Sequence, residues 1–332
     1  MHAVPIHVAV AVIFDTRGRV LITRRPHHAH QGGLWEFPGG KVEPGESARA
    51  ALGRELAEEL GIEVQEARPL IRVPHDYPDR RVMLDVWRVA AFHGAPEGRE
   101  GQPLDWVFPQ DLGTRAFPAA DRPVLVALRL PDRYLITPEP GPDLGEFLDR
   151  LEQRLALGLR LVQLRVRRLD PQDGEWLAAR AVACCHRYGA QLLINGAPCA
   201  AQALGADGVH LSAARLMALI QRPLPPDQWV AASCHDASEL AHAARVGVDF
   251  AVLSPVAPTP SHPGMPVLGW DGFARLTDAV PFPVYALGGV AVGDLADAFA
   301  SGAQGVAAIR ALWGADGPVA PPAADLNAGS AG

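Results

Sequence analysis

Residues 39–62 read GGKVEPGESARAALGRELAEELGI, and a helix lies within them. Leu52, Leu56 and Leu60 recur every four residues, the spacing of one buried stripe between Ser47 and Leu60, and Gly61 supplies the stop. Off that stripe stand Glu55, Glu58 and Glu59, at i, i+3 and i+4, so three carboxylates occupy neighbouring positions. Like charges so placed cost a few tenths of a kcal/mol per pair on a bare helix. A solvated face tolerates that penalty, so alone the pattern reads either as a wet surface or as a metal-binding edge. The preceding turn, Pro38-Gly39-Gly40, allows a bound group to approach the backbone where a side chain would obstruct it.

The 332 residues around this helix are too many for one ordinary small domain, and two domains are expected. Hydrophobic residues make up 48% and charged residues 20%, enough to build a core in each half. A net charge of -7 argues against direct nucleic-acid binding, which needs a basic surface, though not against a nucleotide whose phosphates a cation neutralises. The apolar run 8–14 is too short to span a bilayer, lacks a basic leader and reads as a strand, so a cytoplasmic protein without membrane contact is expected. The four cysteines, Cys184, Cys185, Cys199 and Cys234, form no CxxC pair and are expected to be reduced, mostly buried thiols.

The grammar of the chain changes near residue 130. Before it, strands mix with one marked helix; after it, apolar strands alternate with Ala/Leu-rich helices. Leu130-Pro131-Asp132-Arg133 is the expected joint, and its shortness predicts docked domains, 1–130 and 134–313. Eight strands are predicted in the second half: 134–138, 161–166, 191–195, 208–211, 229–234, 250–254, 283–287 and 305–309. Strands separated by helices must pair in parallel, and eight such units can close into a barrel. The crossovers flanking the fourth strand have to be short. Residues 314–332, rich in Gly, Pro and Ala, are expected to form a flexible tail.

The spacing from Gly40 through Glu46, Arg54-Glu55-Leu56, Glu58-Glu59 and Leu60-Gly61-Ile62 matches the Nudix box, and the first 130 residues resemble MutT-type Nudix hydrolases. Further matching stretches are 21–25 (LITRR), 36–41 (EFPGGK), 78–80 (PDR), 98–103 (GREGQP) and 117–121 (FPAAD). The resemblance implies an α/β/α sandwich with a mixed sheet. It implies Mg2+, with Mn2+ as an alternative, held by Glu55, Glu58, Glu59 and the carbonyl of Gly39. Arg54 would orient a glutamate and Glu46 brace the loop. Glu100 would be an extra ligand or the base for water, or else a solvent-exposed loop acid. Arg25 would face phosphates or sugar, with Phe37, Tyr77, Asp79 and Arg80 around the nucleoside. Where the MutT pattern has an asparagine at the base edge, this chain has Asp121; an ionised aspartate only accepts hydrogen bonds. The implied reaction converts oxidised purine nucleoside triphosphates of the 8-oxo-dGTP type to monophosphate and pyrophosphate, sanitising the nucleotide pool and so serving DNA repair.

Stretches 134–137 (YLIT), 161–165 (LVQLR), 192–195 (LLIN), 205–211 (GADGVHL), 254–260 (SPVAPTP) and 287–290 (LGGV) resemble thiamine-phosphate synthases and their TenI-like relatives, implying a (β/α)8 TIM barrel. Arg165, Arg167, Asn195, His235, Gly288, Gly289 and Arg310 are the ligand candidates there, for a thiamine-pathway phosphate. His235 reads as an acid/base residue or as a mouth histidine with a hydrogen-bond partner. The departures are Gly196 where the synthase pattern is acidic, Ser212-Ala213-Ala214-Arg215 in place of an acidic, glutamine-bearing loop, and the absence of lysines near Arg167 and His262. Without the carboxylates a magnesium pyrophosphate loses its anchor. Three readings follow: a nucleotide hydrolase carrying a degenerate barrel, a hydrolase of a thiamine-related pyrophosphate, and a barrel that binds or senses such a phosphate.

Overall fold

The structure is a computed structural model and describes residues 5–27, 31–259 and 266–314. Contacts within the chain separate into two compact units between Arg129 and Leu130.

The first unit contains β1 (Ile6–Ile13), β2 (Val20–Arg24), β3 (Trp35–Glu36), β4 (Gly39–Lys41), α1 (Ala48–Leu60), β5 (Glu63–Asp76), β6 (Arg81–His93), β7 (Leu104–Val107) and α2 (Arg122–Arg129). A mixed sheet of order β4-β1-β6-β5 has β1 parallel to β6, and a second, antiparallel sheet has order β3-β2-β7. Alternation along β1 sends successive side chains to opposite faces. Ala9, Ala11 and Ile13 meet Leu52, Leu56 and Leu60 of α1 on one face, while Val10 and Val12 join Val124 and Ala127 of α2 on the other. The leucine stripe read from the sequence is fully buried. Ser47 starts α1, its hydroxyl accepting from the amide of Ala50 at 3.2 Å. Gly61 ends it in the left-handed region at φ 69°, with its own N–H given to Ala57 and that of Ile62 to Leu56.

The second unit is a closed parallel barrel of β8 (Arg133–Ile136), β9 (Leu161–Leu164), β10 (Gln191–Asn195), β11 (Gly208–Leu211), β12 (Trp229–Cys234), β13 (Phe250–Leu253), β14 (Val284–Leu287) and β15 (Gly305–Ala308). The ring closes where β15 pairs with β8. Outside lie α3 (Leu144–Ala156), α4 (Pro171–Arg187), α5 (Pro198–Ala203), α6 (Ala213–Met217), α7 (Ala237–Val246), α8 (Gly269–Thr277), α9 (Leu295–Ala300) and α10 (Arg310–Trp313). The crossovers around β11 are short, as its spacing required: α5 has six residues and α6 five. Two aspartates fasten strand starts in the same way. Asp207 accepts from the amide of Leu192 at 2.7 Å and Asp249 from that of Val230 at 2.7 Å, and each returns its own N–H to the same residue's carbonyl. Every cysteine is free; Cys184, Cys185 and Cys234 are buried and Cys199 is exposed. Burial pushes the Cys234 thiol up to about 12, so it is no thiolate nucleophile at neutral pH. Among the described residues no helix is long and apolar enough to cross a membrane. The tail expected at 314–332, beyond Gly314, and His262 lie outside the described residues.

Candidate functional site

Midway along α1, Arg54 gathers the acidic residues. Its guanidinium donates to Glu46 at 3.1 and 2.9 Å, to Glu55 at 2.8 Å and to the carbonyl of Lys41 at 3.0 Å. Glu46, on the loop before the helix, is thereby tied to it, and the bonds to Arg54 hold its carboxyl below the usual range. Glu58 reaches the same guanidinium only at 3.4 Å and its side chain is 61% exposed. Gly40 leaves room for the carboxylate of Glu55, which a Cβ at that position would displace. Gly39, at φ 144°, would overlap the carbonyl of Ala9 if it carried a Cβ, and it gives its amide to Glu59 at 3.2 Å.

Glu59 lies deeper. Burial lifts its carboxyl to about 7 against the opposing Gly39 amide, and the charges of Glu100, Glu36 and Glu55 push in the same direction. Glu36, whose place next to the PGG turn was the only hint of it in the sequence, is thus a fourth carboxylate of the cluster. It pairs with Arg25, and burial raises its own carboxyl. Among the described residues no three His, Cys, Asp or Glu side chains already converge closely enough to hold a metal ion. The donor set nevertheless fits a hard divalent cation, because it is all oxygen and its members repel one another until a positive charge is shared.

A second group adjoins the first through Arg25 and Glu36. Phe37 is buried and stacks on Phe117 with ring centroids 5.4 Å apart, drawing the 117–121 segment towards the PGG turn. Asp121 follows, 7% exposed. Burial, then repulsion from Glu36, raise its carboxyl to about 7, with Arg25 opposing. A carboxyl raised in this way is readier to hold a proton than an ordinary surface aspartate, and a protonated carboxyl offers one donor beside its acceptor. Tyr77 feels the charges of both Asp121 and Arg25. Asp79 and Arg80 behave differently. On the exposed turn between β5 and β6 they bond to each other, at 2.8 and 2.6 Å.

In the barrel, Arg165 projects from the end of β9, its amide held by the Thr137 hydroxyl at 3.0 Å. Burial and the neighbouring charge of Arg167 lower its affinity for its proton, while Glu139 opposes them. The amides of Arg167 and Arg168 both donate to Glu139, at 2.8 and 2.7 Å. Asn195 donates to Gln163 at 2.9 Å. From Gln163 a buried relay missed at the sequence level continues through Tyr134, at 3.5 Å, and His210, at 3.0 Å, to Ser233, at 2.9 Å. The Gln163 amide donates to the Tyr134 hydroxyl, and the two ring nitrogens of His210 face that hydroxyl, from Nδ1, and the Ser233 hydroxyl, from Nε2. Burial holds His210 neutral, at about 3. The signal for this relay was polar residues at inward positions of otherwise apolar strands, Gln163 in LVQL and His210 in GVHL.

His235 donates from Nδ1 to the carbonyl of Ser254 at 2.9 Å, a bond compatible with both readings of this histidine. Gly288 and Gly289, at φ 91° and 70°, have their glycine character dictated by packing, since a Cβ would press on Pro255 or on the carbonyls of Ala257 and Pro258. Arg310 is exposed at the start of α10. A cavity of about 470 Å³ lies beside β9 and β10, lined among others by Leu164, Ile194, Ala178, Leu204, Arg167 and Asn195.

The NUDIX domain family model matches residues 9–127, and the thiamine monophosphate synthase model matches residues 133–312. The 8-oxo-dGTP diphosphatase of Escherichia coli K12 is 39% identical over 124 residues, 37% of this chain and 96% of that protein. The CTP pyrophosphohydrolase of the same organism is 42% identical over 118 residues, 36% of this chain and 87% of that protein. A thiamine-phosphate synthase of Thermus thermophilus is 33% identical over 192 residues, 55% of this chain and 89% of that protein. An Arg-gathered glutamate helix beside a glycine turn, followed by a closed parallel barrel, is thus joined to sequence matches that cover both units, and the chain belongs to the Nudix hydrolases in its first unit and to the thiamine monophosphate synthase family in its second.

Proposed function

We propose that the first unit hydrolyses oxidised purine nucleoside triphosphates of the 8-oxo-dGTP class to monophosphate and pyrophosphate, with Mg2+ or Mn2+. The observation that carries this reading is the adjacency of a self-repelling carboxylate cluster, around Glu59, to a buried carboxyl poised near neutrality, Asp121. Glu55, Glu59, Glu58 and the Gly39 carbonyl would hold the cation, which supplies charge compensation for the phosphates and lowers the pKa of water. Water then adds its oxygen to the β phosphorus as the bond from that phosphorus to the α–β bridging oxygen breaks. The water proton passes to a carboxylate, a role we assign to Glu100, and the monophosphate leaves with the bridging oxygen. Arg54 keeps Glu55 and Glu46 in place throughout, and Arg25 faces the polyphosphate. Positioning and electrostatics dominate phosphoryl chemistry, and no covalent nucleophile is required.

Base selection follows from Asp121. Guanine offers two acceptors, O6 and N7, on its outer edge; 8-oxoguanine carries N7–H and therefore a donor beside O6. A neutral carboxyl donates to O6 and accepts from N7–H, as an asparagine side chain would. Phe37 and Tyr77 flank the base in this reading, and Asp79 and Arg80 contribute from the turn. The 8-oxo-dGTP diphosphatase relative supports an oxidised purine and the CTP pyrophosphohydrolase relative a pyrimidine. A panel of 8-oxo-dGTP, dGTP, CTP and a thiamine-precursor pyrophosphate with Mg2+ decides: preference for either of the last two rejects the oxidised-purine assignment.

For the barrel we propose binding of a thiamine-pathway phosphate without synthase turnover. Arg165 and Arg167 supply positive charge, with Asn195, His235, Gly288, Gly289 and Arg310 around the mouth, while Gly196 leaves no carboxylate to anchor a magnesium pyrophosphate. Formation of thiamine phosphate from its two precursors would reject this.

A further inference from the structure

The C-terminal end of α1 poses a problem that the helix does not solve by itself. Four final carbonyls of any helix lack intrahelical donors, and their negative dipole end favours a cation. The last turn of α1 contains no basic residue. The missing donors come from the segment between β6 and β7. The amide of Glu97 donates to Leu60 at 3.0 Å and the amide of Arg99 to Glu59 at 3.0 Å. The side chain of Gln102 donates to the Glu59 carbonyl at 3.2 Å, and the Arg99 guanidinium to that of Ala57 at 2.9 Å. The guanidinium lies directly over Gly61, where a Cβ would overlap it. Gly61 therefore has two tasks: it takes the left-handed conformation that ends the helix, and it leaves the surface open for Arg99.

Between Arg99 and Gln102 sits Glu100, whose amide is bonded to the Gln102 side chain at 2.9 Å. Its side chain is exposed, yet its charge reaches Glu59 and Glu36. A carboxylate on a turn cannot stay near two others of like charge unless the turn is fastened, and the fastening runs through Arg99 and Gln102.

We propose that Arg99 is a positioning residue for hydrolysis: by clamping the 97–102 segment across Gly61 onto the end of α1, it holds Glu100 beside Glu59. The inference rests on the Nudix hydrolase assignment and on a working role for Glu100.

The test uses the full-length protein and the variants Arg99→Met, Arg99→Lys, Glu100→Gln and the Arg99→Met/Glu100→Gln double variant. Backbone hydrogen exchange, measured without metal, reads the clamp independently of activity. In Arg99→Met the amides of Glu97 and Arg99 should exchange about tenfold faster or more, barrel peptides should be unchanged, and Arg99→Lys should restore much of the protection. In turnover with Mg2+ and 8-oxo-dGTP, Arg99→Met should lower kcat about tenfold at little changed KM, and the double variant should be no slower than Glu100→Gln alone. Unchanged exchange in Arg99→Met overturns the clamp. A double variant as slow as the product of the two single effects, or a Glu100→Gln protein as fast as wild type, overturns action through Glu100. Should no pyrophosphate substrate be cleaved by wild type, the hydrolase reading fails, whereas the exchange result still decides whether Arg99 fastens the segment.

Discussion

Around Glu59, partial burial and then the charges of Glu100, Glu36 and Glu55 raise one carboxyl, whereas at the barrel mouth burial and then the charge of Arg167 weaken the hold of Arg165 on its proton. Both units have relatives that act on phosphate compounds, but they carry opposite local charge. On the proposed reading a polyanion approaches the first only with a divalent cation, and an anion enters the second directly. In the proposed reading one chain offers two solutions to phosphate binding, through a metal where carboxylates dominate and through arginines where a carboxylate is missing, as at Gly196.

Neutralising the acidic side of this contrast should cost the most. Glu55→Gln and Glu59→Gln should each lower kcat by roughly a hundredfold to a thousandfold, the usual loss when a preorganised charge-stabilising group is removed. Steady-state pyrophosphate release reads it, and wild-type rates in both variants would return the helix to an ordinary solvated face. Next, Gly288→Ala should destabilise the barrel by about 1–3 kcal/mol, because its φ of 91° and the contact with Pro255 both resist a side chain. Chemical denaturation followed by barrel tryptophan fluorescence checks this, and hydrolysis should persist.

Asp121 adds a finer distinction, since it is a buried acid whose ionisation is disfavoured inside the acidic unit. Its folded pKa, about 7, stands above the ordinary carboxylate value, so its ionisation opposes folding. The stability it contributes is fully present below about pH 4 and is lost as pH rises through about 7. Asp121→Asn should therefore gain stability relative to wild type between about pH 5 and 8, by no more than a few kcal/mol at about 1.4 kcal/mol per unit. In catalysis, wild-type discrimination between 8-oxo-dGTP and dGTP should fall several-fold from about pH 6 to about pH 8.5 as the O–H donor is lost, and the asparagine variant should show a flat ratio. Equal slopes in the two proteins would remove Asp121 from base reading. The mildest effect concerns the barrel: thiamine phosphate at about a hundredfold excess over its Kd should stabilise this unit by about 2.7 kcal/mol without turnover and without Mg2+. A strict Mg2+ requirement for that stabilisation would mean a carboxylate anchor exists in the barrel after all.

Much of this was legible in residues whose periodicity is local. The leucine stripe of α1, its Ser47 and Gly61 ends and the strands β10, β11 and β12 coincide with their sequence readings, and the other barrel strands differ by one or two residues at their ends. Those ends depend on where the last ladder hydrogen bond forms, which hydropathy does not record. The Nudix spacing exposed Glu55, Glu58 and Glu59 because they share one helix. Glu36 escaped notice because its relation to Glu59 is set by the pairing of β3 with β2 and by the PGG turn, not by sequence distance. The Tyr134–His210–Ser233 relay escaped for the same reason, its members lying on three strands. The upward shift of Asp121 was invisible for another reason: a carboxyl's pKa is a property of its burial and of charges such as Glu36 beside it.

The proposed hydrolysis rests on a cation shared among repelling carboxylates, and a metal titration of turnover tests this most directly. Pyrophosphate and monophosphate release from 8-oxo-dGTP should be negligible after chelation, rise saturably with added Mg2+ or Mn2+, and remain near background in Glu59→Gln at every metal concentration while the barrel melts as in wild type. Turnover that survives chelation, or a Glu59→Gln protein that follows the wild-type metal curve, would contradict it.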